Sequence, residues 1–499
     1  MNLLDKSIAV FSPQRALSRV RARAQIKMLD AQNGYDAAGK GRRNTWMRGS
    51  DTSANAEIRS GLPLLRARSR ELVRNNPYAA AAVRVITTNT VGTGIRPYAT
   101  GNAKKRVETA QREMNLWASN TLADYDGLHT LYGMEALAMR TLAESGEALI
   151  VRQFKRTPGL RVPLRLRVLE GDYLDHNKNE RRASGEQTIQ GVVFGKDGER
   201  KGYWLFDQHP GERSGALATS RFVSADQVIH LFEVLRPGQV RGIPRGVAAF
   251  MRMKALDDFQ DARLEQMKVA ACFGGVIKNE DQDAKGGLLP ERLEPGMFPE
   301  LGYGQDVIFN NPPAVSGHAE YVNEEQRAIA IAYGVSYESL TGNLRQVNYS
   351  SGRIGWLEFQ RNIDQWRGTL LIPRLCGRVA QWWSEAAMLA GIDTTGVEWG
   401  WTPPRRELQD PTREIPAMIL AARAGYESLF DQIRSRGGDP EQVMDEIKKL
   451  IDLLDKNGFT LDTDPRQPGN GQRQQDEGED DPVVEAAMAL LEGMDSEKA

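Results

Sequence analysis

Residues 242–273 read GIPRGVAAFMRMKALDDFQDARLEQMKVAACF, and the spacing of their apolar residues decides how the rest of the chain is read. After Gly242-Ile243-Pro244, the residues Phe250, Met253, Leu256, Phe259, Leu264, Met267 and Ala271 recur at roughly three- and four-residue steps. Lys254, Asp257, Asp258, Asp261, Arg263 and Glu265 lie between them. The pattern predicts one long helix over 244–273, about 28 residues making a rod of about 40 Å. The following stretch, 274–317, is punctuated by Gly286-Gly287, Pro290, Pro295-Gly296, Pro299 and Pro312-Pro313, with strand-like runs at 275–278 and 306–310. It reads as a small β module inserted between helices.

Helical periodicity resumes near Glu324, pauses over 334–342, and returns after Asn348-Tyr349-Ser350-Ser351. There Trp356, Phe359, Ile363, Trp366 and Leu370 form a 3-4-3-4 seam, as in a helix packed on other helices. Pro373 is expected to kink or interrupt it, having no N–H to donate. Upstream, from about 77 to 244, the pattern is mixed. Helices are predicted at 83–90, 104–118 and 131–145, strands at 148–154, 164–169 and 191–194, and a tight turn at Lys196-Asp197-Gly198. The body is α+β, with Trp117, Tyr125, Tyr132 and Trp204 read as core residues.

At 499 residues the chain has room for about three domains. Its net charge of −1 excludes a protein that coats nucleic acid through bulk basicity. The neutrality is a cancellation: residues 1–74 carry fifteen Lys/Arg against six Asp/Glu, and residues 439–499 carry six against seventeen. Ser12-Pro13 opens a basic amphipathic helix with Leu17, Val20, Ala24 and Met28 on one face and Arg15, Arg19 and Arg23 on another. It is either a solvated face or a contact for phosphates or a partner. The breaker-rich linker 465–475 and the acidic run after it lead to a short apolar helix at 483–491, which docks on a partner or on its own chain. Two cysteines, Cys272 and Cys376, form no disulfide framework and point to a reducing compartment. The start has no apolar core of a signal peptide, and no run approaches the length of a membrane span.

No catalytic motif in the sequence is complete. Gly34 to Gly41 has the glycine and lysine spacing of a phosphate loop but lacks the closing Ser/Thr and a preceding strand. His129, His176, His209, His230 and His318 are scattered, without the pairing a metal site needs, so no metal or other cofactor is expected. Glu170, Asp172 and Asp175 after a strand are the best carboxylate cluster, read first as solvated turn residues and otherwise as a divalent-ion site.

Read in order, several segments resemble the lambda-type portal proteins of tailed bacteriophages. They are Arg68-Ser69-Arg70-Glu71-Leu72-Val73-Arg74-Asn75-Asn76-Pro77-Tyr78-Ala79, Val91-Gly92-Thr93-Gly94-Ile95-Arg96-Pro97, Arg236-Pro237-Gly238-Gln239-Val240-Arg241-Gly242-Ile243-Pro244, Leu340-Thr341-Gly342-Asn343 and Asn348-Tyr349-Ser350-Ser351-Gly352-Arg353. The resemblance implies a ring, usually of twelve subunits, at one capsid vertex in the virion. Double-stranded DNA is packaged through its channel by terminase and later ejected. The ring's expected partners are the terminase large subunit, head-tail adaptor proteins, and major capsid and scaffold proteins, and it carries no enzyme activity of its own.

On this reading 1–54 is a basic, partly disordered arm, 55–243 an α/β wing, 244–273 a stem helix and 274–318 a β-rich clip. Residues 319–348 are the returning stem helix and tunnel loop, 349–438 the long helix with crown and wing helices, and 439–499 an acidic, partly disordered helix and tail. The tunnel loop would present Asn343, Arg345, Gln346 and Asn348 to DNA, and the clip would offer Arg292, Glu294 and Asp306 to terminase or adaptors. Asn343 stands where the family commonly has an acid, which makes this loop less negative. Two other functions fit the residues: a different head-tail adaptor or minor capsid protein, and a metal-dependent nucleic-acid enzyme working through the carboxylates at 170–175.

Overall fold

The computed structural model describes residues 51–212, 219–272, 317–345, 349–405, 410–438 and 440–458, with short pieces at 12–14, 18–19, 21–22, 277–278, 300–301, 461 and 466. The chain divides into two units, 1–57 and 58–499. In the first, Pro13-Gln14, Ser18-Arg19 and Arg21-Ala22 are helical. Most of the expected amphipathic faces there, the apolar helix at 483–491, the strand at 306–310, and the site residues Arg292, Glu294, Asp306, Gln346 and Asn348 lie outside the described residues.

Helix α1 (Ala54–Asn75) and helix α2 (Pro77–Thr90) are separated by the single residue Asn76. Proline at the first position of α2 needs no partner for its missing N–H. Oδ1 of Asn76 accepts from the amides of Tyr78 and Ala79 at 3.0 and 3.1 Å, and its Nδ2 donates to the Asp257 carboxylate. One side chain thus caps a helix and ties it to a distant one. Asn76→Ala is expected to cost about 1–2 kcal/mol, read as a lower denaturation midpoint at unchanged slope.

Strand β1 (Arg96–Thr100) follows a turn in which Gly94 has φ 110°, and a Cβ there would run into the Tyr132 ring. Helix α3 (Lys104–Ala118) then packs on β1 and helix α4 (Leu131–Ser145) on α2, α4 being capped by Thr130 and stopped by Gly146 at φ 88°. Strands β2 (Glu147–Phe154) and β3 (Leu164–Glu170) are antiparallel. A five-strand meander follows: β4 (Glu180–Arg181), β5 (Gln187–Ile189), β6 (Val192–Phe194), β7 (Arg200–Phe206) and β8 (Ser220–Ser224). Strand β9 (Val228–Phe232) returns to the first sheet in the order β3-β2-β9, with Leu149 opposite His230. The two sheets share a small core of Leu149, Leu169, Leu174, Tyr203, Leu205 and Val223.

The stretch opened by Pro244 begins with a tight 3-10 turn, Arg245–Ala249, and becomes helix α5 only at Phe250–Cys272. The expected rod over 244–273 is therefore shorter, about 35 Å. Phe250, Met253 and Leu256 are buried, but Leu264 and Met267 are about half exposed at 51% and 53%. The apolar spacing marks the helix correctly, while only its first half is packed among the described residues.

Two short strands, β10 (Ile277–Lys278) and β11 (Glu300–Leu301), pair in parallel. Helix α6 starts at His318, earlier than expected, and runs to Tyr333. Helix α7 (Tyr337–Thr341) fills the predicted pause, and helix α8 (Tyr349–Trp366) resumes on the predicted side. Phe359, Ile363, Trp366 and Leu370 of the seam are buried as expected. Pro373 does not end this helix. The backbone widens to π-helical turns over Arg367–Cys376 and continues as helix α9 (Gly377–Leu389). The wider turn relieves the clash a proline ring makes with the preceding α-helical carbonyl.

Strand β12 (Glu398–Thr402) pairs antiparallel with β1, and helices α10 (Pro411–Arg423), α11 (Leu429–Ser435) and α12 (Pro440–Asn457) follow. One large core joins α2, α4, the β2–β3–β9 sheet, the start of α5, α6, α8 and α9, with Trp382 and Trp383 fully buried. Trp117 is core as read, whereas Tyr125 is 40% exposed beneath the guanidinium of Arg167. No helix among the described residues is long and apolar enough to cross a membrane.

Candidate functional site

The loop after α6 is built by short-range hydrogen bonds. Gly334 ends α6 in the left-handed region, and Ser336 caps α7 by accepting from the Ser339 amide at 3.1 Å. Gly342, at φ 68°, closes α7 with its N–H on the Glu338 carbonyl at 2.8 Å. Leu340 is buried and pins the turn to the core. Beyond it, Asn343 donates through Nδ2 to the Tyr337 hydroxyl at 3.2 Å and accepts at Oδ1 from the Arg345 amide at 3.2 Å. Tyr337 in turn donates to Asn323 on α6 at 3.1 Å.

The predicted loop residues therefore divide by task. Asn343 has its amide group engaged in the turn itself, an Asx-type arrangement that holds the chain where Arg345 leaves it. Arg345 is exposed, and no carboxylate among the described residues lies within ion-pair distance of it. The neighbouring Leu344 is 65% exposed.

The carboxylate cluster read from the sequence is split. Glu170 and Asp172 both bind Arg70, the former at 2.6 Å, with Arg66 3.9 Å from Asp172. Burial alone would raise the Asp172 carboxyl, but Arg70 and Arg66 hold it below its ordinary range. Asp175 turns away to accept from the Ser220 hydroxyl at 2.6 Å. His209 takes its place, 3.4 Å from Glu170. A guanidinium stands where a cation would, so the acids already have their counter-charge.

Behind these residues lies a group the sequence did not single out. Glu147, the first residue of β2, is fully buried, as is Arg241. Arg241 donates to Glu147 from Nε at 2.9 Å and Nη2 at 2.5 Å, and reaches the carbonyls of Gln190 and Gly171, both at 2.9 Å. Arg66 binds the same oxygen, Nε2 of His230 meets the other at 2.9 Å, and the Gly242 amide donates to it at 2.9 Å. Burial pushes the Glu147 carboxyl up, yet Arg241, Arg66 and His230 outweigh it and hold it well below the usual range. Burial also lowers His230, to about 4.

The geometry explains the segment Arg236 to Pro244. Oε1 of Gln239 accepts from the amides of Leu235 and Arg236, and its Nε2 donates to the Arg241 carbonyl at 2.7 Å. Gly242 lies against the Gly146 carbonyl so closely that a Cβ on it would strike that group, and a Cβ on Gly146 would strike Ile243. Two glycines in contact let the chain pass Glu147 and enter α5 in one fixed direction. The signal available beforehand was an Arg-Gly-Ile-Pro string before a helix, but nothing in it names an acid 94 positions away.

The profile of the phage portal protein, lambda family, matches residues 40–367. The chain is 26% identical to a probable portal protein of Halomonas phage phiHAP-1, covering 83% of this chain and 85% of the relative. It is 22% identical to portal protein B of Escherichia phage lambda, covering 82% and 88%. Among solved structures, a chain from the neck of an empty gene transfer agent particle superposes with a TM-score of 0.43 at 19% identity, covering 74% of this chain and 94% of that one.

Proposed function

The chain belongs to the lambda family of phage portal proteins, and we propose that it assembles into a ring at one capsid vertex through which double-stranded DNA is packaged and ejected. The carrying observation is the family match over 40–367, which takes in most of the α+β body, the long helices and the loop after α7. In this reading 55–243 is the wing, 244–273 the stem, 274–318 the clip and 319–348 the returning stem helix with the tunnel loop. Residues 349–438 complete the crown and wing helices, 1–54 are the N-terminal arm and 439–499 the tail. The terminase large subunit is its partner during packaging and head-tail adaptors and capsid proteins are its partners in the virion, and no reaction is assigned to it.

A channel must let every sequence slide. Base-edge hydrogen bonds, each good pair worth about 1–3 kcal/mol, would arrest it. Contacts to the phosphates are indifferent to sequence. One exposed arginine per subunit, repeated around a ring, supplies such contacts from a chain of net charge −1. Arg345 is that residue, with Asn343 fixing its turn.

Electron microscopy and native mass spectrometry of the purified chain should show closed rings with a central channel. A monodisperse monomer under assembly conditions overturns the reading. Arg345→Glu should leave rings intact while packaged or retained DNA falls about tenfold, since a ring of cations becomes a ring of anions facing phosphate. Normal packaging by that variant removes Arg345 from the channel.

A further inference from the structure

Arg200 on β7 and Arg374 in the π-helical stretch both approach the ring of Phe232 on β9, their guanidinium carbons 5.3 and 5.0 Å from its centroid. Arg374 donates to the carbonyls of Phe232 and His230, both at 2.7 Å. It thereby covers the outer edge of β9, which ends its sheet. Arg200 lies 3.3 Å from Nδ1 of His230. A guanidinium only donates, so Nδ1 accepts and the proton sits on Nε2, which donates to Glu147.

The charges in this corner do not balance. Glu147 is matched by Arg66 and Arg241, His230 is neutral, and Glu233 is bound to Arg245. No carboxylate among the described residues lies within ion-pair distance of Arg200 or Arg374. Both are half-buried. Burial and the like charge of Arg200 lower the Arg374 pKa. Two partly desolvated cations about one ring, neither with a carboxylate, are costly until an anion joins them.

We propose that Arg200 and Arg374 seat a carboxylate side chain from a second copy of this chain. The inference rests on the ring reading above. A duplex is held by a stripe of cations that tracks its phosphates, whereas Glu199 immediately precedes Arg200 and Glu233 immediately follows Phe232, which makes the surroundings of the pair mixed in sign. In a head-to-tail ring each subunit offers two different faces, so cations left unmatched on one copy meet acids of the next at every interface.

The test compares the full-length wild type with Arg200→Gln and Arg200→Glu, which spare the strand-covering Arg374. Folding is checked by circular dichroism, and assembly is followed against concentration by native mass spectrometry and sedimentation. Arg200→Gln should raise the concentration for half-assembly about tenfold, and Arg200→Glu further, with monomers that stay folded. Should Arg200→Glu not fold, Arg200→Gln alone decides. Rings forming at the wild-type concentration in a folded Arg200→Gln overturn this inference and leave the portal reading standing. A wild type that never self-associates overturns both. Binding of a 20-base-pair duplex that weakens in Arg200→Gln, with assembly unchanged, assigns the pair to phosphate instead.

Discussion

Glu147→Gln is expected to destabilise the folded chain by about 3–5 kcal/mol, the usual cost of removing one partner of a buried ion pair. The change keeps the shape of the side chain but removes its charge and turns one acceptor oxygen into an amide donor among N–H groups. Arg241 would then sit in the interior with two carbonyls but no anion, Arg66 would keep only Asp172 at 3.9 Å, and the Gly242 amide would lose a charged acceptor. The check is the denaturant midpoint of the full chain, with the slope unchanged. A loss below about 1 kcal/mol would mean that water reaches these arginines. Adding Arg241→Met to Glu147→Gln should restore part of the loss, because the two changes share one network.

The second large effect is on pH dependence. Glu135 is buried on α4, with Oε2 accepting from the Ile95 amide at 2.8 Å and Oε1 facing the Cys376 thiol at 3.7 Å. Burial raises it from its ordinary 4.5 to about 8. Between pH 4.5 and 8 the folded chain keeps a proton that the unfolded chain has released, so stability falls as pH rises. His230, lowered from 6.5 to about 4, acts in the opposite sense: between these values the unfolded chain holds the extra proton and stability rises with pH. Each slope is about 1.4 kcal/mol per unit, and the two offset each other from 4.5 to 6.5. Above 6.5 Glu135 acts alone, and stability should drop by about 2 kcal/mol by pH 8. Glu135→Gln should flatten the profile over that interval, as measured by denaturation midpoints at fixed ionic strength. A slope that persists in the variant assigns the effect to another group.

What could be read beforehand follows the range of the forces involved. Helices α3 and α4 were legible to the residue, α4 because Thr130 and Gly146 mark its ends through local hydrogen bonding and backbone sign. The seam at Phe359, Ile363, Trp366 and Leu370 was legible because periodicity is also local. Strand β12 was not: its partner β1 lies some 300 residues away, and Glu398 to Thr402 shows no alternation of burial. The Glu147 network was hidden for a related reason. Its members are charged residues, which a sequence presents as surface, and only the fold brings Arg66, Glu147, His230 and Arg241 together. In the loop, the turn itself was legible from Thr341-Gly342-Asn343. That Asn343 serves the turn and leaves Arg345 exposed required the positions of Tyr337 and Asn323.

The pairing of β1 with β12 also sets an order of events during synthesis. Arg96 to Thr100 leaves the ribosome early and cannot find its partner until residue 402 has been made. A chain cut short before β12 exposes a bare strand edge on β1, the kind of template that promotes aggregation. It also lacks Trp399, the ring that packs edge-on against Trp383. The strand that completes the body is thus among the last parts of it to be translated, and a truncated product differs from a finished subunit by that open edge.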